Sequence, residues 1–385
     1  MLFGGCNCTG GSSLLSAYGA LCAGGTGFVS AMIGAMVAGA RTAEAPKLGR
    51  TVPEVDRLSV RMVTDNVVIQ FVPSETRRGA AIERRSRSNT SSDAPPRTAL
   101  NGEWGLSMLA QSHRAGEERN VLIDFGYTPE VLLNNMSILG IDPSTFDALV
   151  LSHGHYDHFG GMVGFLAANK GRLKKDVPFY VGGEDAFCIR RNAGGQFGAL
   201  DRKAILDSNL TLMMSEGPAI VADHAFTTGR IGQTSFEKPL QPSSEIVGIF
   251  DGFGCFPEKM PAAKNTGTYI ADDFDHEIGT AYLVKGKGLV VLTSCSHRGV
   301  INTVKQAQEA SGVDRVHAVI GGFHIVPPLG DDYIRQTVDA FREIDPDILI
   351  PAHCSGDRFY DLARDALGDK VVHSAVGTQF VFGAS

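Results

Sequence analysis

The sequence predicts a layered α/β fold, and two patterns carry that reading. Through the C-terminal third, short apolar runs of strand length alternate with segments of helical periodicity. Four apolar runs also deliver a histidine just past their C-terminal ends: Asp147 to Leu151 leads to His153, Leu289 to Thr293 to His297, Val316 to Ile320 to His324, and Ile348 to Ile350 to His353. In a layered α/β fold such ends lie along one edge of a sheet, where crevices and active sites collect.

Composition narrows the class. A chain of 385 residues with 43% hydrophobic side chains can bury the core of one catalytic domain with extensions. Its net charge of -7 argues against a nucleic-acid surface, which needs a basic footprint, so no nucleic-acid partner is expected. Seven cysteines without regular spacing predict neither a disulfide framework nor a paired Cys-x-x-Cys zinc ribbon. No repeat with a period of 20–50 residues is visible.

Residues 1–50 read as an N-terminal extension. Met1 to Ala40 carry no charged side chain, and Ala43-Glu44-Ala45 before Pro46 resembles a small-residue cleavage site, which fits an export signal. The absence of a basic n-region speaks against a signal, and the glycine-interrupted run ending at Phe28 to Val37 is short for a membrane span. The chain is therefore expected in the cytoplasm, or exported or membrane-associated if this segment is a signal, with membrane contact only through it.

Residues 51–385 read as the catalytic domain. A first strand is expected through Val60 and Met62 and again at Val67-Val68-Ile69, interrupted by Thr64-Asp65-Asn66. A polar, arginine-rich insertion around 77–97 has little to bury and reads as solvated, or as a flap that attracts phosphate groups. Leu106 to Ala110 and Val121 to Gly126 follow as strands, Tyr127 to Leu139 as a helix, and Asp147 to Leu151 as a buried strand. Gly160-Gly161 turns into a helix over Met162 to Ala168, and Phe179 to Val181 is a strand. Glu184 to Leu240 is less regular, with helical pieces, before strand character resumes over Glu245 to Phe250. Ala281 to Val284 and Leu289 to Leu292 form a hairpin around a glycine-lysine turn. Helices are then expected over Ile301 to Ser311, Asp331 to Ile344 and Asp361 to Leu367, with a last strand at Thr378 to Phe382.

The densest chemistry lies in Ser152-His153-Gly154-His155-Tyr156-Asp157-His158, on the loop between the buried strand and its helix. Three imidazoles and a carboxylate in six positions are hard to satisfy except by a metal, and these donors suit zinc, iron or manganese. His153 and His155 can reach one ion while Asp157 and His158 turn toward a neighbouring one. His297 and His353 are further ligands or hydrogen-bonded core histidines. His324 completes the metal shell, donates a proton or caps a strand. Cys295 is a bridging thiolate or an apolar filler behind His297, and Cys354 is assigned to packing.

The stretch containing His153, His155, Asp157 and His158 resembles the HxHxDH signature of the metallo-β-lactamase fold superfamily. Further stretches, Gly105-Leu106-Ser107, Leu122 to Gly126, Leu151 to Gly161, Leu292 to Val304, Gly321 to His324 and His353 to Gly356, resemble its branch of 7,8-dihydropterin-6-ylmethyl-4-(β-D-ribofuranosyl)aminobenzene 5′-phosphate synthases. The resemblance spans about Leu58 to Phe382. It implies a four-layer αββα metallo-β-lactamase-like sandwich with two divalent metal ions at the sheet edge, zinc first, then iron or manganese. By that resemblance His153 and His155 hold one metal with a third histidine, His297, or by chain order His224. Asp157, His158 and His353 hold the second, and Cys295 stands where the superfamily has a bridging aspartate. His324, with Asp157, forms the candidate catalytic set. The implied activity is a transferase displacing diphosphate; the alternatives are a metallohydrolase of an ester, lactone or phosphodiester, and a non-catalytic metal-binding or ligand-binding protein. The expected partner is a small molecule, phosphorylated or ester-containing. Trp104 stands where members of the branch often have a histidine, and Gly229 to Gln233 replaces a Gly-Glu-Ile-Pro-Arg-like segment.

Overall fold

The computed structural model describes residues 42–44, 48–49, 51–85, 98–240 and 242–383. The uncharged N-terminal stretch and residues 86–97 of the arginine-rich insertion lie outside them, and with them the export and anchor readings. Among the described residues no helix is long and apolar enough to cross a membrane.

Two large sheets face each other. In the first, ten strands run in the order Thr42–Glu44, Thr211–Met214, Pro178–Val181, Ala148–Val150, Glu117–Ile123, Ser107–Arg114, Arg57–Thr64, Gln379–Gly383, Ala80–Glu83 and Glu75–Arg77. The second orders Ala219–Val221, Ala225–Thr227, Thr280–Val284, Gly288–Thr293, Val316–Gly322 and Ile348–Ala352, with Glu54–Val55 also paired to Thr280–Val284.

Alternation along the strands builds the layers. Val121 and Ile123 point into the core between the sheets, together with Val60, Met108, Val290, Leu292 and Ile320. Their neighbour Leu122 points the other way, onto Leu132, Met136, Phe165 and Leu166 of helices Pro129–Leu139 and Met162–Ala168. On the second sheet Leu289 and Val291 turn outward to Val300 and Val304, and to Ile334, Val338 and Phe341. Strands covered on both faces read as continuous apolar runs, and a helix, two sheets and a helix give the αββα order.

The outer helices follow from local rules. Helix Asp331–Ile344 buries Ile334, Thr337, Val338 and Phe341, an i, i+3, i+4, i+7 stripe. Helix Pro129–Leu139 starts with the Thr128 side chain capping Val131 N and proline in its first turn. It ends at Gly140, whose φ of 69° suits a residue without Cβ.

Within each sheet the strands that carry the histidines are joined by parallel pairing, so their C-terminal ends share an edge, while Gly288–Thr293 also pairs antiparallel with Thr280–Val284. Ala148–Val150 lies between Glu117–Ile123 and Pro178–Val181, and Gly288–Thr293, Val316–Gly322 and Ile348–Ala352 are consecutive.

Local expectations are corrected at several points. Val67 to Ile69 is not a strand: pairing stops at Thr64, where the buried Asp65 turns to bond Ser374 Oγ and His353 N, and Val67 and Val68 are exposed. Glu245 to Phe250 is two strands, Ser244–Ile246 and Gly248–Phe250, which pair with different partners. The arginine-rich insertion begins as an ordered hairpin whose Ala80 and Ile82 are buried against Gln379–Gly383, because alternation gives it one apolar face. Cys188 and Cys255 form a disulfide across 67 positions, a pairing that irregular spacing concealed. Thr42–Glu44, within the segment read as an extension, pairs in parallel with Thr211–Met214.

A candidate metal centre at the sheet edge

The metal loop leaves strand Ala148–Val150 under tight steric control. Leu151 N bonds Tyr180 O and Ser152 N bonds Asp124 Oδ1, after which the chain turns at Gly154. A Cβ there would lie 2.6 Å from Arg190 Nη1 and 2.8 Å from Ala186 O, so only glycine fits. At Gly161 a Cβ would meet Phe125 O at 2.2 Å, which lets the following helix seat directly on the sheet.

The structure brings the widely spaced candidates together. Donor atoms of Asp157, His158, Cys295 and His353 lie within 4.8 Å of one another, as do those of His153, Cys295 and His297, and those of Cys295, His324 and Cys354. Cys295 is common to all three groups and therefore sits where a bridging atom would. Its Sγ is 3.2 Å from His158 Nε2 and 3.2 Å from Cys354 Sγ. His353 Nε2 approaches Asp157 Oδ2 to 3.2 Å. His155 joins through its ring, 4.9 Å from that of His153 and 4.6 Å from that of His297. The imidazole of His224 is instead held by Ser112 Oγ at 2.9 Å and is in none of these groups.

Hydrogen bonds from behind decide which nitrogen of each ring is bare. Ser152 Oγ donates to Asp124 Oδ2, so His153 Nδ1 must donate to Ser152 Oγ and its Nε2 keeps the lone pair. His158 Nδ1 donates to Asp124 Oδ2 at 2.8 Å, which leaves Nε2 toward Cys295. Ser243 Oγ donates to Asp272 Oδ2, so His155 Nε2 donates to Ser243 Oγ and Nδ1 is the open atom. Such carboxylate-backed imidazoles are the ordinary outer shell of a metal site. The His153 Nε2, both ring nitrogens of His297 and His353 Nδ1 are buried without a hydrogen-bond partner among the described residues. Each orphan would cost about 1–3 kcal/mol if nothing met it. A divalent transition cation fits this set of imidazoles, carboxylate and thiol.

Backbone strain gathers at the same edge. Asp124, Ser296, His324 and His353 all have φ between 48° and 61°, a left-handed region that costs non-glycine residues of order 1–3 kcal/mol each. The strained turns are held from behind. Asp65 Oδ1 accepts His353 N, Asn66 Nδ2 donates to His353 O, and the Glu277 carboxylate accepts His297 N and Arg298 N.

Electrostatics point the same way. Burial, then the neighbouring imidazoles, holds His153 and His297 far below the ordinary histidine range, and burial takes His155 down to about 3. They are neutral donors at pH 7. Burial acts to raise Asp157, but His158 and His353 outweigh it and keep the carboxylate charged. Burial pulls His324 down, yet the Cys354 sulfur, Glu277 and Asp157 outweigh it and raise its pKa.

The groups face a cavity of about 350 Å³ lined also by Trp104, Tyr127, Tyr156, Phe197 and Ser243. Trp104 packs 4.9 Å from the His353 ring. Sequence reasoning missed Ser243, Asp272, His276 and the fully buried Arg190, which bonds Asp272, Asp185 and Glu245. Gly154 N donates to His276 Nε2, so this network grips the metal loop at two points. No local signal marks these residues; a fully apolar environment for an isolated arginine is excluded by charge, but its partners lie 5 to 82 positions away.

The metallo-beta-lactamase superfamily profile matches residues 105–175. The chain is 28% identical over 263 residues to the 7,8-dihydropterin-6-methyl-4-(beta-D-ribofuranosyl)-aminobenzene-5'-phosphate synthase of Methanocaldococcus jannaschii, covering 66% of this chain and 81% of that one. It is 27% identical to an uncharacterised protein of the same organism, covering 71% and 92%. The crystal structure of Tm1679, described as a metal-dependent hydrolase of the beta-lactamase superfamily, superposes with a TM-score of 0.60 at 22% identity, covering 84% and 98%. The chain has the metallo-β-lactamase fold, and in sequence it resembles the dihydropterin ribofuranosylaminobenzene phosphate synthase branch of that superfamily.

Proposed function

We propose that the chain is a metal-dependent enzyme whose reaction follows the synthase branch, a transfer that displaces diphosphate from a pterin-type substrate. The observation that carries the reading is the pair of tautomer-fixed imidazoles, His153 and His158, whose donor atoms lie within 4.8 Å of Cys295 Sγ, beside those of Asp157, His297 and His353. His153, His155 and His297 would hold one divalent cation and Asp157, His158 and His353 the second, with Cys295 between them and zinc the best match to the donors. Bound there, the cations supply Lewis-acid charge that activates a nucleophile and neutralises a departing oxyanion. His324 lines the cavity with its pKa raised, so it is placed to hold a proton for the leaving oxygen. Trp104, Tyr127 and Phe197 line the cavity and give it an aromatic wall.

Hydrolysis of an ester, lactone or phosphodiester is the second reading, and the observation in its favour is Trp104 at the cavity wall where the branch often has histidine. Purified protein should carry more than about one equivalent of transition metal, and His153→Ala should lose both metal and activity. Less metal than that in carefully prepared protein would sink the metalloenzyme reading. Diphosphate release from a pterin diphosphate in the presence of an aminobenzene riboside phosphate identifies the transferase. Its absence, with chelator-sensitive hydrolysis of simple esters, identifies the hydrolase.

A further inference from the structure

Beside the metal cavity lies a second space that the chemistry above does not use. A groove of about 640 Å³ is lined by Phe159, Ile189, Ile246, Phe250 and Phe253, and it shares Tyr156 and Phe197 with the metal cavity. The shared residues are a hinge between polar and apolar halves. Phe197 meets the His155 ring edge-on at 5.3 Å, and Tyr156 immediately precedes Asp157 while its ring packs on Phe159 at 5.4 Å.

The outer wall is the hairpin of Gly248–Phe250 and Phe253–Cys255. Its end is fastened by the Cys188–Cys255 disulfide next to Ile189, so the wall is tied to the strand that forms the floor. Phe250 and Phe253 are 45% and 42% exposed. They support no core, and large apolar side chains left open beside a site mark a binding surface.

Charge defines the occupant. The groove lining contains no lysine, arginine or histidine, and its charged member is the carboxylate of Asp251. The Arg191 guanidinium is stacked on the Tyr269 ring at 3.9 Å and is not part of the lining, so the groove itself offers an anionic group no partner, whereas the metal cavity beside it favours an oxyanion. We propose that the groove binds the uncharged apolar tail, alkyl or aryl, of an amphiphilic substrate whose oxyanionic head lies among the metal ligands. This rests on the metal-centred reading above.

The test uses the metal-loaded full chain and linear alkyl phosphonates of about two to about ten carbons, with Kd read from the fluorescence of Trp104, the sole tryptophan. Affinity should rise roughly two- to fourfold per methylene until the groove is full. In Phe250→Ser/Phe253→Ser the dependence should flatten while the Kd of the shortest phosphonate stays within about twofold. Short-chain binding with no chain-length dependence in the wild type overturns the tail subsite and leaves the metal reading standing. Unchanged chain-length dependence in the double variant overturns the groove assignment. Failure of every phosphonate to bind, in protein that also holds no metal, removes the metal reading and this inference with it. Sedimentation velocity supplies the remaining arm: a dimer converted to monomer by the double variant would show that the hairpin seats a second copy of the chain, and would overturn the proposal.

Discussion

Asp124 Oδ2 accepts the Nδ1 proton of His158 at 2.8 Å, and both side chains are completely buried. The same oxygen also accepts from Ser152 Oγ, which in turn takes the Nδ1 proton of His153. One carboxylate thus sets the tautomer of two imidazoles assigned to different cations.

Asp124→Asn should for that reason weaken both metal sites together. The amide can still accept at its oxygen, but it brings donors against Ser152 and His158 and removes the charge that sharpens their basicity. A loss of about 10- to 100-fold in metal affinity is expected, the range for such outer-shell partners. Titration with a competing chelator checks it; loss at one site only would contradict the shared-carboxylate arrangement.

Cys295 is the shared member of three donor groups, and burial pushes its thiol pKa well up, so it ionises only with a cation beside it. Thiolate favours soft ions. Cys295→Asp should shift retention from zinc toward manganese when the metals compete at equal concentration, as read by elemental analysis of the dialysed protein. An unchanged zinc-to-manganese ratio would mean that the side chain does not touch the ions.

His324 is assigned the proton and not a metal. His324→Ala should keep its metal content but lose about 10²- to 10⁴-fold in kcat on substrates with poor leaving groups. Leaving groups that depart without protonation should lose far less. Equal losses across a leaving-group series, or lost metal, would return His324 to the coordination shell.

Glu237 caps the helix Val300–Ser311, accepting Asn302 N from a position that is only 1% exposed. Burial raises its pKa to about 7 against an ordinary 4.5, despite the backbone N–H groups that oppose the shift. Between those values the folded chain keeps a proton that the unfolded chain has released. Its contribution is therefore greatest below about pH 4.5 and is lost as pH rises through about 7, on the order of 3 kcal/mol in all. Urea unfolding at about pH 5.5 and about pH 8 should show a stability drop that is smaller in Glu237→Gln. An equal drop in both proteins would assign it to other groups.

Much of the architecture could be read directly because its causes are local. The stripe Ile334, Thr337, Val338, Phe341 is a helix signal wherever it occurs, and the run Leu289 to Leu292 is apolar because both its faces are covered. The density of donors from His153 to His158 is likewise local. Val67 to Ile69 misled because apolar residues at a strand end look like more strand, whereas the buried Asp65 ends the pairing to serve His353. The Cys188–Cys255 bond and the Arg190 cluster were invisible because nothing within a window of sequence points to a partner 67 or 82 positions away.

The layered α/β plan, the four strand ends that carry His153, His297, His324 and His353, and the kinds of donor atom available are legible in periodicity and residue type alone. Which ring nitrogen His153, His155 and His158 offer depends on contacts between distant segments. That choice belongs to Asp124, Ser152, Ser243 and Asp272, whose hydrogen bonds hold one nitrogen and leave the other bare. Tertiary packing also opens an apolar groove beside the site, because Phe197 of one hairpin meets Phe250 and Phe253 of another.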